Sequence, residues 1–316
     1  MTTRTLTVLI CTHDRRRLLM RTLEHLHRAR RPEGWTVEVL VMLNACSDDS
    51  EIHLAHFAQA HPDLPLRWAS EPVPGKSNAL NSAMALIESE LTAFVDDDHR
   101  VATDYLVEVC RAAERHPEAD LFCGRILPDW DGSEPPWVHD EGPFRIYPLP
   151  VPRFDQGDAP HRLTPDQAIP GGGNLFLRTP WLQRTGPFST DLGPVGHDLG
   201  GSEDLEWVLR AQKLGARLWY IPTVIQYHYV DGSRLTLPYV VRKAYRRSAS
   251  VIGVSTAKTT PGVPRYLYRK LGGYLLRALT AWRADRRRFY LVRSAATLGE
   301  IQGHRRWQPP PASNLD

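Results

Sequence analysis

Short apolar runs alternate with amphipathic helical stretches through residues 6–126, and this alternation limits the fold more than any other feature. The runs are Leu6–Cys11, Val37–Leu43, Leu64–Ala69, Leu91–Val95 and Ala119–Ile126. Between them, Arg17–Arg30 places Leu18, Leu19, Leu23 and Leu26 at helical spacing, and Asp49–Gln59 reads as a second helix. Ser77–Glu88 sets Leu80, Met84 and Ile87 on one face, and Tyr105–Glu114 supplies a fourth helix. Such alternation predicts an α/β fold with a mostly parallel sheet covered by helices. Right-handed crossovers then bring the carboxyl ends of the first, second and fourth runs to one edge, where such sheets bind ligands.

After Ile126 the texture changes. Leu127–Pro170 is rich in Pro, Gly, Asp and Trp, and it reads as an irregular insert that shapes a substrate site or forms a lid. Regular structure returns with a strand at Asn174–Arg178, a short helix at Pro180–Arg184 and a helix at Glu203–Leu214. A strand at Arg217–Ile221 follows, closed by Pro222. From Leu237 the pattern is mainly helical, broken near Pro261–Pro264, and Gln308–Asp316 reads as a disordered tail. Trp130, Trp137 and Trp181 are either sugar-stacking platforms or packing residues.

Asp96, Asp97 and Asp98 follow the fourth apolar run directly. Three adjacent carboxylates repel one another unless a cation neutralises them, and oxygen ligands suit Mg2+ or Mn2+. Alternate residues of an extended segment point the same way, so Asp96 and Asp98 address one side. The plain alternative is a solvated acidic turn. Gly75-Lys76-Ser77 is not an ATPase phosphate loop, because Ser70 stands where that motif needs a glycine. The dinucleotide glycine fingerprint is absent after the first strand as well.

Several motifs in this order resemble the family 2 glycosyltransferases of the GT-A fold. They are Thr12-His13-Asp14-Arg15, the segment Asn44–Ser50, Pro74–Asn81, Asp96–Asp98, Gly171–Phe176 and Gly201-Ser202-Glu203-Asp204. The resemblance covers roughly residues 5–230 and implies an inverting, metal-dependent transfer of a sugar from a nucleotide diphosphate, UDP being expected. It implies that Thr12, His13, Asp14, Arg15 and Asn44 line the nucleotide, with Lys76 and Asn78 at the ribose or diphosphate. Asp98 is the expected metal ligand, with Asp96 on donor or metal, Asp97 nearby, and His228 completing the shell. The family usually carries an aspartate where Leu43 stands and often an aromatic residue at His13.

On the acceptor side, Asp204 is the expected general base and Glu203 the residue that orients acceptor or base. Helix capping by Ser202 with acidic first-turn residues accounts for the same pattern. Gly173 permits close backbone approach, and Asn174 is expected to bond a sugar or acceptor hydroxyl. His228 reads equally as an interior structural histidine. These assignments divide the chain into a catalytic domain over 1–236, with a nucleotide half (1–126) and an acceptor half (127–236). A basic helical extension follows over 237–307, and then the tail over 308–316.

The net charge of +3 hides an asymmetry: from Val240 onward, 16 Lys and Arg face 3 Asp and Glu. The basic stretch Arg242, Lys243, Arg246 and Arg247, the segment Leu267–Trp282 with Arg269, Lys270 and Arg277, and Arg286-Arg287-Arg288 suit an anionic membrane surface, and an exposed helical tail also offers a homodimer contact. A glycan or lipid-linked acceptor fits that reading. No nucleic-acid-binding motif is present, so no nucleic acid partner is expected. Met1–Thr5 lacks signal-peptide character, no window is long enough to span a bilayer, and the four cysteines lack paired zinc spacing. A cytoplasmic protein with reduced thiols is expected, peripheral on the inner face of the membrane if the basic region binds it. A nucleotide-sugar hydrolase, a nucleotidyltransferase or an inactive binding protein are the competing functions.

Overall fold

A computed structural model of the chain describes residues 4–167, 172–191, 203–254 and 262–306. Gly171, the run Gly200-Gly201-Ser202 and the 308–316 tail lie outside the described residues. The chain divides into two compact units, one of Met1–Asp129 with Pro152–Tyr229, the other of Trp130–Val151 with Val230–Asp316. This differs from the continuous catalytic stretch over 1–236: the insert is split, and its first part groups with the C-terminal helices.

In the first unit the strands are β1 (Arg4–Thr12), β2 (Trp35–Asn44), β3 (Leu66–Glu71), β4 (Leu91–Phe94), β5 (His99–Val101), β6 (Leu121–Asp129), β7 (His161–Leu163), β8 (Leu175–Arg178) and β9 (Leu218–Tyr229). The helices are α1 (Arg16–Arg28), α2 (Ser50–Ala60), α3 (Lys76–Met84), α4 (Tyr105–Arg115), α5 (Pro180–Thr185) and α6 (Glu203–Lys213). All nine described strands join one sheet in the order β3-β2-β1-β4-β8-β6-β9-β5, with β7 on β9. β1 runs parallel to β2 and β4, β2 to β3, and β6 to β9, while β8 is antiparallel to β4 and β6. The ends of β1, β2 and β4 share one edge, as the crossovers require.

Strand alternation explains the two core layers. Val8 and Ile10 of β1 pack with Leu19, Leu23, Leu26, Leu54, Leu106 and Val109 from α1, α2 and α4. Leu9 turns to the other face, with Leu80 of α3, Leu182 of α5 and Trp207 of α6. Strands covered on both faces read as continuous apolar runs, which is why they were legible. Trp181 is buried in the second layer.

Two features depart from the expected pattern. β9 does not stop at Pro222 but continues to Tyr229. Its register against β6 shifts between Gly124 and Arg125, whose partners are Ile221 and Ile225, so Pro222 falls in a bulge and breaks no ladder bond. β5 has too few residues to show a period in sequence, yet it pairs His99 with His228 and Val101 with Gln226. The extension of β9 thereby carries Gln226 and His228 to the end of the aspartate run.

The second unit holds α7 (Leu237–Val254), α8 (Arg265–Thr280) and α9 (Ala284–Arg306). A Cβ at Gly299 of α9 would collide with the Tyr245 carbonyl oxygen, so α7 and α9 approach closely there. Within this unit Arg288 pairs with Asp140 at 2.8 Å and lies over the Trp137 ring. Phe144 meets Phe289 and Tyr290 edge-on. The four cysteines are free.

A Cβ at Gly124 would collide with the Val224 carbonyl oxygen and the Asn174 amide. Gly124→Ala is therefore expected to cost about 1–3 kcal/mol, read as a lower urea midpoint with an unchanged slope. An unchanged midpoint would show that the bulge yields freely.

Candidate active site

Three loops at the carboxyl ends of β1, β2 and β3 are tied to one another by the residues read as nucleotide contacts. Asp14, at φ 50°, accepts from the Ser47 and Asp48 backbone N–H groups at 2.6 and 3.0 Å and from the Ser47 hydroxyl at 3.0 Å. His13 Nδ1 meets the Asn44 carbonyl at 2.7 Å. Asn44 donates to the Val73 carbonyl at 2.8 Å and accepts from the Gly75 N–H at 2.8 Å. Asn78 donates to the Pro74 carbonyl at 3.0 Å. A cleft of about 410 Å³ opens beside these loops, lined by Asp14, Arg15, Arg16, Arg17, Leu18, Asp48 and Asp49. Three arginines and three aspartates share this cleft beside the N-terminus of α1, and Arg16 pairs with Asp49 at 2.6 Å.

The aspartate run alternates as an extended segment should. Asp97 turns inward, accepting from the buried Thr12 hydroxyl at 2.7 Å and from Arg15 at 3.2 Å. Burial and the neighbouring Asp98 push its carboxyl up to about 6, against the pull of Arg15. Thr12 thus holds Asp97 rather than lining the cleft. Arg15 also reaches Asp98 at 3.3 Å. Asp96 faces the opposite way to Asp97: its Oδ1 accepts from Lys76 Nζ at 2.9 Å. Burial works against its ionised form, but the Lys76 ammonium, through charge and a hydrogen bond, outweighs burial and holds it below the usual carboxylate range.

Two histidines complete this cluster, and their hydrogen bonds fix which nitrogen faces it. The Asn174 amide donates to the backbone carbonyls of Arg125 and Val224 at 2.9 and 3.0 Å, so its Oδ1 must face Gln226. Gln226 Nε2 then meets Asn174 Oδ1 at 3.1 Å and the Phe94 carbonyl at 3.0 Å. Its Oε1 is left to accept from His99 Nδ1 at 2.5 Å. The Nε2 of a neutral His99 therefore carries a lone pair, 3.8 Å from Asp96 and 3.9 Å from Asp98. His228 repeats the arrangement: Nδ1 meets the Tyr229 carbonyl at 2.6 Å, and Nε2 lies 3.7 Å from Asp98. Burial lowers the His228 pKa, with Asp98 opposing, so a neutral imidazole is favoured.

Lone pairs aimed at carboxylates repel them unless a cation lies between, and a ring N–H anchored on a carbonyl is the usual support of a metal-ligating histidine. Ligand atoms of Asp98, His99 and His228 all lie within 4.8 Å of one another, so the residues present fit a divalent cation. Asp98 and His228, the ligands expected from sequence, lie in this cluster, and Asp96 borders it. His99 was missed, because its meaning depends on β5 and on Gln226.

On the other side of Asp96, Lys76 Nζ lies 3.8 Å from Asp204 and 4.0 Å from Glu203. Burial alone would lower the Lys76 pKa, but the surrounding carboxylates raise it well above the ordinary value. Asp204 Oδ2 accepts from the Gly172 N–H at 2.8 Å. Burial, then Asp204, raises the Glu203 pKa, and Glu203 Oε2 has no hydrogen-bond partner among the described residues. Gly172 and Gly173 are required here: a Cβ on the first would strike the Asp204 carboxylate, and on the second Asp96 and His99. Asn174 corrects the sequence expectation. It is fully buried, with its amide engaged by Arg125, Val224 and Gln226, so it meets no sugar hydroxyl and instead orients His99 through Gln226.

Residues 7–184 match the family described as Glycosyl transferase family 2. The chain belongs to that family. This glycosyltransferase has the GT-A fold seen in similar solved structures. The mannosyltransferase PcManGT from Pyrobaculum calidifontis, in complex with GDP-Man and Mn2+, has 18% identity and a TM-score of 0.56, over 94% of this chain and 88% of that one. TarS 1-349 from S. aureus, in complex with UDP-GlcNAc, has 15% identity and a TM-score of 0.54, over 94% and 90%. No curated protein matches the glycosyltransferase in sequence.

Protons and a cation compete for this cluster. The raised Asp97 carboxyl stabilises the metal-free fold fully below the ordinary carboxylate range, and that contribution is lost as pH rises through about 6. A bound cation offsets the repulsion that appears above that pH, and it requires neutral His228. Mn2+ is therefore expected to raise the Tm of the glycosyltransferase more at pH 7.5 than at pH 5.5. Equal shifts at both values would contradict this coupling.

Proposed function

We propose that the glycosyltransferase moves a sugar, with inversion at its anomeric carbon, from a UDP-sugar to a glycan or lipid-linked acceptor, using Mn2+ or Mg2+. The observation that carries this reading is the shared position of Asp96 and Lys76. Lys76 joins a cation-type cluster of Asp98, His99 and His228 to a carboxylate pair, Glu203 and Asp204, in one site. Transfer needs both: charge neutralisation at the leaving diphosphate and a base for the acceptor hydroxyl.

Asp98, His99 and His228 would hold the cation, with Asp96 beside them. When bound, the cation supplies Lewis-acid neutralisation of the diphosphate. Arg15, which also lines the cleft, and Lys76 contribute fixed positive charge next to it. Asp204 is the base, since its side chain retains 16% exposure against 3% for Glu203. It takes the proton as the acceptor oxygen bonds to the anomeric carbon, and the bond from that carbon to the diphosphate oxygen breaks, releasing UDP. Glu203, inclined by burial to keep its proton, can donate a hydrogen bond that holds the acceptor oxygen or orients Asp204.

Similar structures hold both GDP-Man and UDP-GlcNAc, so fold alone does not select the base. The motif resemblance favours UDP, although Leu43 is buried in the core and offers no polar group. Two imidazoles among the ligands favour Mn2+ over Mg2+, which prefers an all-oxygen shell.

Calorimetric titration of UDP with Mn2+ is expected to show binding that is lost in Asp98→Ala. Retention of metal-dependent binding would remove Asp98 from the site, and tighter binding of GDP would overturn the choice of carrier. Asp204→Asn is expected to lower kcat by about 100- to 10,000-fold while donor Kd stays nearly constant. Transfer at the parent rate would rule out Asp204 as base.

A further inference from the structure

Within the second unit, α8 buries one face and exposes an apolar stripe on the other. Leu267 and Ala278 are buried, and Lys270 reaches Glu300 of α9 at 3.1 Å. At the helical turn angle, Tyr268, Gly272, Leu275, Leu276 and Leu279 fall within an arc of about 100° on the opposite side. Leu276 is 63% exposed, Leu279 85%, and Trp282, just past the helix end, 101%. Arg265 lies within that arc at the start of the helix and Arg269 beside it, both exposed, while Arg277 lies toward α9, over the Tyr290 ring; α8 contains no acidic residue.

This narrows the basic region expected from sequence to the part of it in α8. Arg286 lies over the Phe144 ring and Arg288 pairs with Asp140, so two of the three adjacent arginines are engaged inside the unit. The exposed combination of aliphatic groups, an indole and exposed arginines belongs to α8.

We propose that the outer face of α8 docks on an anionic lipid bilayer. Leu275, Leu276, Leu279 and Trp282 enter the boundary between headgroups and acyl chains, and Arg265 and Arg269 meet lipid phosphates. Charge selects this occupant over a second copy of the chain. Two α8 faces brought together would oppose basic rows with no acidic residue from either helix, whereas anionic headgroups complement them. No described helix is long and apolar enough to cross a membrane, so the contact is one of lying in the interface plane. The proposal does not depend on the transfer reading.

The test uses the full chain in flotation with vesicles of phosphatidylcholine alone and of phosphatidylcholine mixed with phosphatidylglycerol. Parent protein is expected to bind the anionic vesicles at least about 10-fold more strongly than the neutral ones, with affinity falling as salt rises. The combined variant Leu276→Ser, Leu279→Ser, Trp282→Ser is expected to lose at least about 10-fold of that binding. Because these side chains are exposed, its Tm should match the parent, and Arg265→Gln with Arg269→Gln gives a second arm that leaves the apolar stripe intact. Absence of parent binding to anionic vesicles, or undiminished binding by both variants, would overturn the proposal. So would a parent dimer that the serine variant converts to monomer without any vesicle binding, since that outcome makes a second copy the occupant.

Discussion

The site depends on a buried chain of amides that begins at two backbone carbonyls. Arg125 and Val224 orient Asn174, Asn174 with Phe94 orients Gln226, and Gln226 orients His99. Each partner is buried, so reversing any amide would leave an unsatisfied donor or acceptor, at a cost of about 1–3 kcal/mol. The direction of a proton on His99 is thus set by main-chain geometry at the β6–β9 bulge. A fold whose sheet lacked that bulge would still carry three aspartates, but it would not aim an imidazole lone pair between them.

Charge balance follows from the same geometry. Asp96, Asp97, Asp98, Glu203 and Asp204 stand against Lys76 and Arg15 in one partly buried region. Repulsion among the carboxylates is met in three different ways. Lys76 keeps Asp96 ionised, burial favours the proton on Asp97 and Glu203, and Arg15 pairs with Asp98, which also faces two imidazole nitrogens. Identical side chains in adjacent positions therefore have separate roles, decided by which neighbour each meets as the strand alternates.

Much of the fold was legible because periods of two and 3.6 are distinct and the strands are covered on both faces. The elements up to Ile126 appeared in order, with ends shifted by a few residues. β5 was invisible, being only three residues, and β9 was cut short because Pro222 was read as a terminator rather than as a bulge residue. The partition of Leu127–Pro170 rests on contacts such as Arg288 with Asp140, which no local pattern encodes. At the site, Asp96, Asp98, Lys76, Glu203, Asp204 and His228 were found from motifs and do converge. Asn174 and Thr12 were assigned to ligand because polar residues beside glycine or a strand end look available, yet the fold turns both inward. His99 was passed over since its bond to Gln226 spans 127 positions.

Burial also explains why charge count alone misleads for this chain. The overall balance of +3 is modest, but its parts sit in unlike surroundings. The carboxylates of the site lie where water is scarce, so their repulsion is large and calls for protons, ammonium or a cation at fixed positions. The arginines of α8 lie in water, where each is already well solvated and mutual repulsion is screened within about 10 Å. Attraction to any partner must then come from many such charges acting beside an apolar surface, rather than from one buried pair. A site of defined stereochemistry belongs with the first arrangement, and an extended, salt-sensitive contact belongs with the second.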